Sequence, residues 1–164
     1  MKTIIHDLKE SEIKKIKFND DIKIIDANLC LKSCIGCFSC WVKHPKNCAL
    51  KDSYSSIVDS ISKSDELILI SQNRYGCYSY KVKRVLERCI GYVLPYFTIR
   101  NNEIHHESRY DKKLKLTLYT YGNITKEDKT CLEKLLQANA INLNAENYEC
   151  KIYKNTKELV KCIH

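Results

Sequence analysis

The stretch ELILIS, residues 66–71, has four consecutive apolar residues between a glutamate and a serine. A strand that is apolar on both faces is typical of the middle of a parallel sheet, because helices cover both of its sides. Apolar side chains then recur at helical spacing between residues 82 and 93, and Pro95 predicts that this helix ends near Leu94. The two segments together predict one strand–helix unit of an α/β fold.

The alternation of strand and helix continues on both sides of this unit. Strands are predicted at residues 2–6, 22–27, 114–121 and 148–153, and helices at residues 11–18, 54–61, 125–136 and 155–163. This pattern predicts an α/β fold with a five-stranded parallel sheet between two helical layers, in a single domain that spans residues 1–164. Residues 96–110 surround Asn101-Asn102, a plausible hairpin turn, and are interpreted as an excursion before the fourth strand of the sheet.

Composition and charge argue against several classes of protein. Residues 1–12 do not have the pattern of an export signal and no apolar run is long enough to span a membrane, so we predict a cytoplasmic protein with no membrane partner. The formal net charge is +8, but the lysines are dispersed and no nucleic-acid-binding motif accompanies them, so we predict no nucleic-acid partner. The positive charge remains compatible with an anionic partner such as a dinucleotide.

The chain has ten cysteines, and a cysteine segment at residues 30–48 follows the second predicted strand. Four of these residues form the motif C-x2-C-x2-C-x7-C, namely Cys34, Cys37, Cys40 and Cys48. Four thiolates at this spacing can bind an iron–sulfur cluster or a zinc ion. The same spacing is compatible with free thiols that pack as small apolar side chains. The residues alone leave these interpretations open.

Ligands of open α/β sheets bind at the carboxyl ends of the strands, near the point where the strand order reverses. The residues predicted to lie there are Asp7–Glu12, Ser71–Tyr80 and Tyr121–Thr125. Tyr75 is either a platform for a flat ligand or an ordinary packed aromatic residue. His105 and His106 are interpreted as solvent-facing residues of the hairpin.

Three stretches give the sequence a family resemblance: CIGCFSCWVKHPKNCALKDS (residues 34–53), SISKSDELILIS (residues 60–71) and RYGCYSYKVKRVLER (residues 74–88). In this order they resemble the flavodoxin-like NAD(P)H-dependent FMN reductases, a family that includes the iron–sulfur flavoproteins. The later stretch LPYFTIRNNEIHHESRY, residues 94–110, resembles the excursion of that family. The resemblance covers residues 22–110.

The resemblance implies a flavodoxin-like three-layer sandwich, bound FMN, and electron transfer from NAD(P)H to a redox partner. It also implies a homodimer or higher oligomer and, in some members, an iron–sulfur cluster on the four cysteines. No catalytic acid or base is identified. The candidate cofactor-binding residues are Lys9, Ser11, Gln72, Asn73, Arg74, Tyr75, Gly76, Tyr121, Gly122 and Asn123.

Two departures from the family keep other functions open. The loop after the first strand, residues 6–12, has no glycine and three carboxylates, whereas a phosphate is usually cradled by backbone N–H groups and hydroxyls. The family's Ser-Pro-x-Tyr is replaced by residues 71–75, SQNRY. The second hypothesis is therefore a degenerate flavodoxin-like protein without FMN that acts as a binding or assembly module. The third is a zinc or thiol-redox protein.

Overall fold

The apolar run at the centre of the sequence is the middle strand of a parallel sheet. The computed structural model describes residues 1–18, 21–29 and 32–163. The strands in these residues are β1 (Lys2–His6), β2 (Ile22–Asp26), β3 (Glu66–Gln72), β4 (Val93–Arg100), β5 (Glu103–Ser108), β6 (Lys115–Tyr121) and β7 (Asn147–Tyr153). The α-helices are α1 (Glu10–Ile13), α2 (Ser39–Val42), α3 (Ile57–Lys63), α4 (Tyr80–Glu87), α5 (Lys126–Asn142) and α6 (Thr156–Cys162).

Five of the strands form one sheet in the order β2-β1-β3-β6-β7, and every neighbouring pair is parallel. Counted along the sheet strands alone, this is the order 2-1-3-4-5 of flavodoxin-like folds, with the reversal at β1 and β3. The predicted fold class is therefore confirmed.

The side chains of β3 alternate between two hydrophobic cores. Leu67 and Leu69 face a core that α3, α4 and α5 complete, whereas Ile68 and Ile70 face a second core with α1 and α6. All four side chains are buried. A helix layer on each side explains why the strand carries apolar residues at successive positions, and it gives the three-layer sandwich.

β4 and β5 form a separate antiparallel hairpin that precedes β6, the fourth strand of the sheet. Asn101 and Asn102 occupy its turn with φ of 52° and 62°, as a two-residue type I′ turn requires. The excursion predicted at residues 96–110 is present, but its first strand already begins at Val93.

The helix predicted to run to Leu94 ends at Glu87. The chain turns away there, and Gly91 packs so closely against Cys40 that an added Cβ would lie 3.1 Å from the Cys40 Cβ. A glycine in the predicted last turn also disfavours helix.

Within the described ranges, the helices are all too short or too polar to cross a membrane.

Candidate functional site

The loops that follow β3 and β6 meet at the carboxyl edge of the sheet. The Asn73 N–H donates to the Tyr121 carbonyl at 2.8 Å, and the Asn73 side-chain amide donates to the Asn123 carbonyl at 3.1 Å. The Gly76 N–H donates to Asn73 Oδ1 at 3.2 Å. The candidates predicted at residues 72–76 and 121–123 are thus brought together by hydrogen bonds centred on one buried asparagine.

The loop after β3 turns tightly at Tyr75 and Gly76. The N–H groups of Arg74 and Cys77 each donate to the other residue's carbonyl, at 2.9 and 3.0 Å. Tyr75 and Gly76 between them have φ of 54° and 70°. A left-handed conformation is unusual for a bulky side chain, and such strain concentrates at functional sites. The Tyr75 ring is 95% exposed, so it is available to stack on a flat ligand.

Asp7, directly after β1, accepts hydrogen bonds from β3, which lies beside β1, and from β6, the next strand along the sheet. Its Oδ2 accepts the Gln72 backbone N–H at 3.0 Å, and its Oδ1 accepts the Tyr121 hydroxyl at 3.0 Å. Burial raises the pKa of Tyr121, and the negative charge of Asp7 raises it further, so the hydroxyl stays protonated and donates. The structure therefore places a fixed carboxylate at the centre of the edge.

A second carboxylate, Glu12, accepts hydrogen bonds from two groups beside α1. The Lys9 backbone N–H donates to Glu12 Oε2 at 2.9 Å, and the Thr156 hydroxyl donates to Glu12 Oε1. The side chains of Lys9 and Ser11 are exposed. In the loop predicted to help hold a phosphate, a side chain of α1 thus already accepts from the backbone N–H that precedes this short helix.

The residues at this edge fit the ring of a flavin and do not fit the phosphate of FMN. The ring side offers Tyr75 and the two joined loops, whereas the phosphate side offers two carboxylates. Two like charges 4 Å apart repel by about 4 kcal/mol at an effective dielectric constant of about 20. Charge repulsion from Asp7 and Glu12 therefore opposes the binding of a phosphate that was expected at Lys9 and Ser11.

The four motif cysteines surround one small cavity. Cys34, Cys37, Cys40 and Cys48 all line an enclosed space of about 20 Å³, together with Arg88 and Ile90. Burial raises the pKa of the Cys40 thiol, and its proximity to the other three sulfurs adds to that rise. The predicted grouping of these residues is present in three dimensions.

This grouping is not a formed metal-ion site. A structural zinc ion holds four ligands, with sulfurs about 2.3 Å from the metal. Among residues 1–18, 21–29 and 32–163, no three His, Cys, Asp or Glu side chains are close enough together to hold a metal ion. The cavity has room for about one water-sized body. Ligation of a zinc ion or a cluster by the four cysteines therefore stays a proposal.

Arg88 anchors the wall of the cysteine cavity, and sequence reasoning assigned it no role. Its side chain has no exposed surface, and its Nη1 and Nη2 donate to the two carboxylate oxygens of Asp52 at 2.6 and 2.7 Å. Nη2 also donates to the Leu50 carbonyl at 3.2 Å. The spacing of Arg88, three residues after the buried Val85, was a sequence signal that Arg88 is buried, but it did not indicate the partner.

An aromatic series connects the cysteine segment to the hairpin. The ring centroids of Phe38 and Trp41 are 4.9 Å apart, those of Trp41 and His106 are 5.0 Å apart, and those of His106 and Phe97 are 4.8 Å apart. His106 Nδ1 is buried and has no hydrogen-bond partner in the part of the chain that the structure describes. The expectation that His106 faces solvent is wrong, because the ring packs between Trp41 and Phe97.

A larger cavity of about 560 Å³ lies at the opposite, amino edge of the sheet. It is lined by Leu67 near the start of β3 and by residues near the ends of α4 and α5, and its remaining wall includes Cys34 and Phe38. No sequence pattern indicated this cavity, because the residues that line it are dispersed along the chain. Its volume and its mainly apolar lining are both those of a small-molecule site.

No protein-family model matches the chain, and no curated protein is similar to it in sequence. Its structure is similar to that of an FMN-dependent NADH-azoreductase from Bacillus anthracis str. Ames Ancestor, solved in complex with FMN, with a TM-score of 0.56. The two share 14% sequence identity over 98% of this chain and 92% of that chain. At this identity the similarity shows the flavodoxin-like fold alone.

Proposed function

We propose that this protein is a flavin-dependent oxidoreductase that takes electrons from NADH or NADPH and passes them to a redox partner. The observation that carries the proposal is the convergence of residues 72–76 and 121–123 at the carboxyl edge, beside the exposed ring of Tyr75. The similarity in fold to an FMN-dependent NADH-azoreductase supports the same class of chemistry. A bound flavin would supply the hydride chemistry, and the protein would position its ring.

Each candidate residue has a separate task in this proposal. Tyr75 covers one face of the ring, and the backbone of Gln72, Asn73 and Gly76 lies along its edge. Gly122, with φ of 121°, lets the loop after β6 turn beside the ring, and an added Cβ there would lie 3.8 Å from the Gln72 Cγ. Arg74 is exposed and is the cation of this loop.

The absorption spectrum of protein purified without air tests the proposal. Two bands in the near-ultraviolet and blue, after purification or after reconstitution with flavin, are expected, and both should bleach when NADH or NADPH is added. A protein that stays colourless and binds neither FMN nor riboflavin would refute the proposal. That outcome supports the degenerate flavodoxin-like module instead.

Tyr75→Gly should weaken flavin binding about three- to tenfold without loss of stability. The change removes a stacking contact of about 0.5–1.5 kcal/mol. It also replaces a strained left-handed tyrosine with a residue that adopts this φ freely. The dissociation constant from quenching of flavin fluorescence and the thermal midpoint check the two effects. Tyr148→Leu, at an exposed tyrosine near the start of β7, is the control; an unchanged dissociation constant in Tyr75→Gly contradicts the stacking role.

The predicted oligomer has a candidate contact surface on the hairpin. Its exposed apolar side chains are Tyr96, Phe97, Ile99 and Ile104, all more than 60% exposed. Adjoining exposed apolar residues are typical of protein interfaces. We propose a homodimer through this hairpin; light scattering should give a dimer that Ile99→Lys converts to a monomer.

A second candidate function rests on the cysteine cavity. Four thiols around one enclosed space favour a metal or cluster site, or thiol-redox chemistry, over independently packed cysteines. Iron, zinc and acid-labile sulfide, measured on protein purified without air, separate these possibilities. Cys37→Ser should abolish any bound metal, whereas Cys162→Ser, at an exposed cysteine of α6, should not. Equal metal content in the two variants contradicts ligation by the motif.

A further inference from the structure

We propose that Asp7 and Glu12 make the carboxyl edge select a flavin without a phosphate, with free hydroxyls on its side chain, over FMN. The inference rests on the proposed function, since it concerns which flavin that site accepts. It arises from the disagreement between the ring side of the edge, which fits a flavin, and the phosphate side, which does not.

The donors that a phosphate needs are already used by carboxylates of the chain. Asp7 accepts from the Gln72 N–H and the Tyr121 hydroxyl. Glu12 accepts from the Lys9 N–H and the Thr156 hydroxyl. Two backbone N–H groups and two hydroxyls at one edge are the donor set of an anion site. In this protein the anions that accept from these donors are its own carboxylates, Asp7 and Glu12.

The unused lone pairs of these carboxylates suit a ligand group that donates hydrogen bonds. An ionised carboxylate only accepts hydrogen bonds, and each of its two oxygens can accept more than one. A fully ionised phosphate likewise only accepts hydrogen bonds, and its negative charge is repelled by Asp7 and Glu12. The hydroxyls of a sugar-alcohol chain donate, so they can pair with these carboxylates. Asp7 and Glu12 are both partly exposed, which leaves their remaining lone pairs accessible.

The cations near this edge do not reverse its charge. Lys14 is paired with Glu10 on the exposed face of α1. Arg74 acts electrostatically on Tyr121, but it is a single exposed charge opposite two fixed carboxylates. The charges that hydrogen bonds fix at this edge are therefore the two negative ones, because Lys9, the cation of the same loop, is exposed and solvent screens its charge.

Titration of the purified protein with riboflavin and with FMN, followed by flavin fluorescence, tests the inference. The wild-type protein should bind riboflavin at least tenfold more tightly than FMN. Asp7→Asn should tighten FMN binding at least tenfold and change riboflavin binding less than threefold. Glu10→Gln, which removes an exposed carboxylate paired with Lys14, is the matched control and should alter neither constant.

A measurement on the unaltered protein guards against a variant that does not fold. Raising the ionic strength from about 0.05 M to about 0.5 M screens charge repulsion, so the preference for riboflavin should shrink. Tighter binding of FMN than of riboflavin by the wild type overturns the inference and leaves the proposed function standing. A preference for riboflavin that neither Asp7→Asn nor salt reduces also overturns it. Binding of neither flavin overturns the proposed function and this inference with it.

Discussion

Arg88→Met should lower the free energy of unfolding by about 3 kcal/mol, the lower end of the range for a buried pair, because the arginine is fully buried but the Asp52 side chain is 21% exposed. The Arg88 side chain has no exposed surface, and both of its terminal nitrogens donate to Asp52. Methionine preserves much of the packing but leaves Asp52 without its counter-ion and the Leu50 carbonyl without its donor. A loss of this size is a large part of the 5–15 kcal/mol that a typical domain has.

Urea denaturation followed by circular dichroism measures the loss. Lys63→Met is the control, because it removes an exposed pair in which Lys63 Nζ lies 2.6 Å from Asp59 Oδ2. Exposed pairs of this kind contribute about 0–1 kcal/mol. Equal effects in the two variants would contradict the structural role of Arg88.

The same ion pair predicts part of the response of stability to acid. The hydrogen bond from Arg88 lowers the pKa of Asp52 below its ordinary value. A carboxyl whose folded pKa is depressed stabilises the protein above its unfolded pKa of about 3.9, and this contribution is lost as the pH falls through the folded value. Stability should therefore decline below about pH 4, and Arg88→Met should flatten that decline.

Gly76→Ala should lower the free energy of unfolding by about 2–5 kcal/mol, because it combines a clash with a strained backbone. An added Cβ would lie 2.7 Å from the Cys131 Cβ and 2.9 Å from the Asp128 carbonyl oxygen, on α5. Overpacking of this kind costs about 1–3 kcal/mol. The φ of +70° adds about 1–2 kcal/mol for any residue with a Cβ. Because Gly76 belongs to the loop beside Tyr75, the variant should also bind flavin more weakly.

Gly36→Ala separates the two causes. Gly36 has nearly the same φ, +64°, but an added Cβ would meet nothing within 4 Å. It should therefore show the backbone cost alone, about 1–2 kcal/mol. Both values come from chemical denaturation under identical conditions. A Gly76→Ala variant as stable as Gly36→Ala would show that α5 shifts to make room.

Local pattern was sufficient for most of the architecture. The apolar run at residues 66–71 predicted the central strand, and the alternation of strands and helices predicted a parallel sheet around it. The helix α4 ends at Glu87, several residues before the predicted end near Leu94. The hydrophobic spacing continues past Glu87, but the chain turns where Gly91 packs against Cys40. Periodicity reports which residues are apolar, not where a neighbour interrupts the helix.

The candidate site also combines features that the sequence predicted with features that it did not. The position of residues 72–76 and 121–123 at one edge followed from the rule for open sheets, because the ends of parallel strands meet at the same edge. The use of Asp7 as an acceptor for that edge did not follow from it. A carboxylate in a loop can point to solvent, cap a helix or accept from another strand, and its sequence neighbours do not distinguish these.

The cysteine segment has one feature that was evident from sequence spacing and one that was not. Its motif, Cys34 to Cys48, was evident from spacing, and the structure gathers the four residues around one cavity. The pairing of Arg88 with Asp52 that supports the cavity joins residues 36 positions apart. No local pattern specifies such a pair.

The sequence by itself determined the sheet, its two covered faces and the four cysteines beside it, because strand and helix periodicity and motif spacing are local properties. Only the tertiary structure decided that Asp7 and Glu12, in and after the loop that follows β1, accept hydrogen bonds from distant parts of the chain. Asp7 meets Gln72 and Tyr121 from 65 and 114 positions away. Those donors reach it only because β1, β3 and β6 are adjacent in the folded sheet.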